Sequence, residues 1–145
     1  MVVLDQAFEA GEVDLHRIKY VFLKVCKETL NGSVAIILYL ANEELKGGKD
    51  VLGQSRVLQW LYFAHNHLLH YAHHGMNFPQ LKDALKALDK HLLNNTYLAT
   101  ERATVGDLAV LSALKNVKEA VNELRCVKRW CTTLAAHPIG KQVYN

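Results

Sequence analysis

Two prolines, three cysteines and eight glycines are all that 145 residues contain, and basic residues outnumber acidic ones by only 17 to 14. Each scarcity excludes something. With so little proline and glycine there is no low-complexity linker between domains, and this length suits one domain that buries roughly 70% of its unfolded surface. Cys26, Cys126 and Cys131 are odd in number and lack CxxC spacing, which argues against a disulfide framework or a structural zinc site, so they read as thiols. A formal net charge of +3 is far from the dense basic excess that by itself marks a nucleic-acid binder. The longest apolar run, Val34 to Ala41, is under half of the about 20 residues that cross a bilayer. The acidic start, with Asp5 and Glu9, lacks the cationic stretch of a secretory signal. The expectation is a cytoplasmic protein with no transmembrane segment.

Apolar residues make up 50% of the chain, and their spacing carries the fold. Val57, Leu61, Ala64 and Leu68 fall at i, i+4, i+7 and i+11, the stripe of a long helix that begins near residue 54. After a break at Gly75 to Pro79, Leu81, Leu85, Leu88 and Leu92 repeat the pattern, with Lys82, Lys86 and Lys90 on a different side. Asn94 to Thr96 interrupt it. Thr104, followed three residues later by Asp107, predicts a capping box that opens a third helix with Leu108, Leu111 and Leu114 on its buried side. Leu124, Val127, Trp130, Cys131 and Leu134 line one side of a last helix, which Pro138 ends. In the first third, Tyr20 to Val25 predicts a strand, Asn31-Gly32 a turn that opens a helix at Ser33, and Val2 to Leu4 a further short strand.

Candidate chemistry is sparse. His65, His67, His70, His73 and His74 crowd one helix and its end, so two or three imidazoles can share a face, but no Asp, Glu or Cys is spaced as a further ligand. The expectation is no metal and a polar surface whose charge rises below about pH 6.5. The lysine ridge, with Lys115, Lys118, Arg125, Lys128 and Arg129, has cationic reach for phosphates, yet Asp83, Asp89, Glu119 and Glu123 dilute it, which favours a solvated face. Cys131 reads as a small buried hydrophobe, and Cys26, between Lys24 and Lys27, has no nearby His to act as a base.

Three segments resemble a known family. Leu30 to Ala41, with Ser33-Val-Ala-Ile36 and Tyr39-Leu40, is similar to the strand-turn-helix that ends the thioredoxin-like half of glutathione transferases. Tyr97-Leu98 followed by Thr104-Val-Gly-Asp107 resembles that fold's helical-domain capping box, and Val127 to Cys131 with His137-Pro138 resembles the last core helix of transferase-like domains in translation complexes. The resemblance, over about residues 20 to 140, implies a mostly helical, glutathione transferase-like domain filling 1–145. Its thioredoxin-like α/β part, about 1–50, is reduced, and an all-helical bundle follows over about 51–145.

Transferases of this family hold glutathione partly through a cis-proline before the third strand of the thioredoxin-like half. Here Pro79 and Pro138 both lie in the helical part, and Gly32 stands where the family has an acidic residue or Gln. What remains is Ser33 as a candidate vestigial anion site beside helix N-terminal amides. The resemblance therefore implies no enzyme and no cofactor. It implies an interaction domain of the aminoacyl-tRNA synthetase scaffold type, pairing with other transferase-like domains as a homodimer or heterodimer, with tRNA bound through another part of a longer protein. Arg129, with Trp130 and Arg125, is the implied pairing surface, where loss of Arg129 should weaken assembly and spare the fold. Elongation factor one gamma-like domains are near relatives; an elongation factor one subunit or a glutathione-dependent transferase is the alternative.

Overall fold

The computed structural model describes residues 22–25, 27–72 and 79–144. The expected strand at Val2 to Leu4, Cys26, His73 and His74 lie outside the described residues. Of the strand expected over Tyr20 to Val25, Tyr20 and Val21 lie outside the described residues and the rest is half of a hairpin: β1 (Phe22–Val25) pairs antiparallel with β2 (Glu28–Asn31), Phe22 opposite Asn31 and Val25 opposite Glu28. The second strand has no alternating apolar pattern; it is the strand that the resemblance of Leu30 to Ala41 to a strand-turn-helix places before Gly32. Gly32, at φ +91°, then turns the chain into helix α1 (Ser33–Leu40), a conformation that residues with a side chain rarely adopt.

Helix α2 (Val51–Phe63) starts earlier than its apolar stripe, because Asp50 caps it by accepting the amides of Leu52 (3.3 Å) and Gly53 (2.9 Å). It runs on through a π-helical turn, Ala64–Leu69, and a last α turn, His70–Ala72. Val57, Leu61, Ala64 and Leu68 are all buried, as the stripe requires, and Trp60 joins them. Helix α3 (Pro79–Leu92) begins on proline, whose missing N–H is harmless in a first turn, and buries Leu81, Ala84, Leu85, Leu88 and Leu92.

Helix α4 (Val105–Leu114) packs on α2 and on the π turn, burying Val110, Leu111, Ala113 and Leu114, while Leu108 is half-buried. The amide of Val105 donates to the carbonyl of Leu45 (3.0 Å), tying the loop after α1 to the start of α4. A 3-10 turn (Lys115–Val117) and helix α5 (Lys118–Asn122) lead to α6 (Arg125–Ala136), which sets Val127, Trp130, Cys131 and Leu134 into the core. Pro138 ends α6 but also opens a further helix, α7 (Pro138–Tyr144), for the same reason that Pro79 opens α3. Among the described residues no helix is long and apolar enough to cross a membrane.

Candidate functional site

The most polar point of the core is Asp107, with no exposed surface. The capping box sets it at the third residue of α4, and its Oδ2 accepts the Thr104 amide (3.0 Å) and hydroxyl (3.1 Å). Its Oδ1 accepts the Leu98 amide (3.0 Å) and the Trp130 indole N–H (3.0 Å). One carboxylate thus fastens the start of α4, the loop before it and the middle of α6. Burial raises its pKa above the ordinary carboxylate value; the indole, the amides of Leu98 and Thr104 and the Thr104 hydroxyl pull it back in part. With four donors on two oxygens it has no lone pair aimed at a substrate, so its chemistry is architectural.

Trp130, implied above as a pairing residue, is wholly buried and bonded to Asp107, which removes it from any surface. Arg129 is exposed, and its Nη2 also turns back to donate to the carbonyls of Leu92 (2.6 Å) and Asn95 (3.1 Å), closing the C-terminal end of α3. In return Asp89 of α3 accepts the amides of Cys126 (2.9 Å) and Val127 (3.0 Å), capping α6, whose own N-cap residue, Leu124, has no side chain able to do so. Each helix therefore satisfies the other's open end. Asp89 carried no local signal, because its partners lie 37 and 38 residues away. Arg125 is exposed.

Ser33 is the first helical residue of α1, half-buried, and it lines an apolar groove of about 340 Å³ between α1, α2, α4 and α7. Ile37, Leu61, Leu108, Ala109 and Val143 form much of its wall, and His65 and Ser112 are its other polar residues. No side chain caps the start of α1.

A second, polar cavity lies over the loop before α4 and includes Arg56, His91, Tyr97 and Glu101. His91 shares a hydrogen bond with the Leu98 carbonyl (2.9 Å) and lies 4.7 Å from the Trp60 ring. His65, His67 and His70 are exposed, and His67 lies against Phe63 at 5.5 Å. Among the described residues no three His, Cys, Asp or Glu side chains come together as a metal site. Burial pushes the Cys131 thiol up to about 12, far from a reactive thiolate, and Cys126 is half-buried.

Residues 76–138 match the family described as glutathione S-transferase, C-terminal domain. Elongation factor 1-gamma of Drosophila melanogaster is 34% identical over 72% of this chain and 29% of its own length. The chain thus spans under a third of that relative. Among solved structures, a possible glutathione S-transferase from Rhodopseudomonas palustris superposes with a TM-score of 0.71 at 19% identity, over 83% of this chain and 64% of that one. The GST-like domain of elongation factor 1-gamma from Saccharomyces cerevisiae gives 0.67 at 20% identity, over 90% of this chain and 74% of that one. The fold is therefore glutathione transferase-like and mostly helical.

Proposed function

We propose, for a chain with the transferase-like fold and relatives among elongation factor 1-gamma subunits, that it is a non-catalytic assembly domain of a translation elongation complex. In this reading a reduced thioredoxin-like part, about 1–50, leads into the helical part, about 51–145, and the protein acts in the cytoplasm beside the other subunits of elongation factor 1. The observation that carries it is the 34% identity to elongation factor 1-gamma across most of the chain. The synthetase-scaffold reading yields to it, because the matches name an elongation factor rather than a synthetase partner.

The polar core agrees with a binding role. Thr104, Asp107 and Trp130 spend their polar atoms on one another and on backbone groups, and Asp89 and Arg129 serve helix ends. These are groups that hold a shape. The likeness to transferases makes the competing activity easy to measure: conjugation of chlorodinitrobenzene to glutathione, followed at 340 nm. The rate with this chain should equal the buffer rate, and the chain should pass through glutathione resin. Turnover above buffer that saturates in glutathione would overturn the non-catalytic reading.

A further inference from the structure

The lysine ridge of α3 takes no part in the core or in the capping that joins α3 to α6. Lys82, Lys86 and Lys90 are exposed at four-residue steps on the side away from buried Leu81, Leu85 and Leu88, a row about 12 Å long. Composition alone makes this a solvated face, since Asp89 interleaves with the lysines. The structure changes that balance, because the Asp89 carboxylate is turned onto the amides of Cys126 and Val127. The same capping contact sets the Cys126 amide on Asp89, so the preceding residue, exposed Arg125, enters α6 next to the part of α3 that carries Asp89 and Lys90. The ion pairs Lys49–Glu43 and Arg102–Glu44 draw on none of these four cations. Exposed Asp83 stands within the row, between Lys82 and Lys86, and exposed Glu123 lies two residues before Arg125, so four cations face two exposed acids.

We infer that Lys82, Lys86, Lys90 and Arg125 form a docking surface for the phosphate backbone of a nucleic-acid double helix. The partner follows from what accompanies the charges. Protein interfaces deplete lysine at their centres and are anchored by clustered apolar or aromatic side chains, whereas of the exposed large apolar residues, Tyr39, Val51, Leu52 and Tyr62 lie on α1 and α2, Ile139 lies on α7, and Leu93 alone stands at the end of the ridge. Single strands are held by stacking on aromatic side chains, and Trp130 is buried in the core. Duplex phosphates need only cationic reach, in any base sequence. The inference does not rest on the assembly reading above, so either proposal can fail alone.

The test is fluorescence anisotropy of the 145-residue chain with a labelled RNA hairpin and a DNA duplex of equal length, across a salt series. Four phosphate contacts give a slope of log K against log salt of about −3 to −4, with RNA and DNA within about threefold of each other. Lys82→Gln/Lys86→Gln/Lys90→Gln should weaken binding at least tenfold at about 50 mM salt and flatten the slope by roughly three. Lys27→Gln/Lys49→Gln/Lys141→Gln removes the same net charge elsewhere and should change affinity by less than about threefold. Circular dichroism verifies that both variants are folded. Equal weakening by the two triple variants, absence of binding at about 20 mM salt, or ridge-dependent binding of polyglutamate in place of the duplexes would overturn the inference.

Discussion

Asp107 shows how much one side chain carries in this molecule. Replacing it with Ala strands the Leu98 and Thr104 amides and the Trp130 indole N–H in a site closed to water, each costing about 1 to 3 kcal/mol. Asp107→Ala should therefore lose about 3 kcal/mol or more in denaturant titration, beyond the about 1 kcal/mol typical of a lost cap. A loss below about 1 kcal/mol would mean that the Trp130 bond is not formed. The carboxylate also sets a pH dependence. Because burial raises its folded pKa above 3.8, the folded state holds the proton more tightly than the unfolded chain. Its contribution is therefore fully present below the unfolded value and is lost as pH rises through the folded one. The stability difference between the native chain and Asp107→Asn should fall as pH rises from 3.8 through that window, and calorimetry across the series reads it. The pairing of Thr104 with Asp107 was legible, since i and i+3 fix it locally; the third partner, Trp130, was not, because 23 residues of chain must fold to deliver it.

At the scale of elements, the junction of α3 and α6 rests on two exchanges, Asp89 to the start of α6 and Arg129 to the end of α3. Asp89→Ala should cost about 1 to 2 kcal/mol, as a lost N-cap does. Arg129→Ala should cost about 1 kcal/mol, the exposure of the side chain holding the figure down. Because both act on one helix pair, the double variant should cost less than the sum of the two, and a double-mutant cycle by chemical denaturation measures the shortfall. A second close approach lies at the start of α2, where a Cβ on Gly53 would meet the Gly47 carbonyl oxygen at 2.7 Å. Gly53→Ala should destabilise by about 1 to 3 kcal/mol, read from the urea midpoint. Helix existence was legible wherever an apolar stripe repeats, as in Leu81, Leu85, Leu88 and Leu92. Helix ends were less so. Asp50 is a local capping signal that the stripe from Val57 onward concealed, and Pro138 stops one helix and starts the next, two roles that sequence alone does not separate.

Over the whole molecule, the transferase-like fold was legible from three short segments because each is a local device: a turn into α1, a capping box on α4, an apolar side on α6. The complete burial of Trp130 was not, since a residue's place on a helix does not say whether a neighbouring helix lies over it. The central claim is that this fold serves here to assemble a translation complex. Sedimentation velocity on the chain mixed with purified elongation factor 1 subunits tests it most directly. The expected result is a faster boundary containing both components at micromolar concentration. Two boundaries that sediment independently up to tens of micromolar would contradict the account.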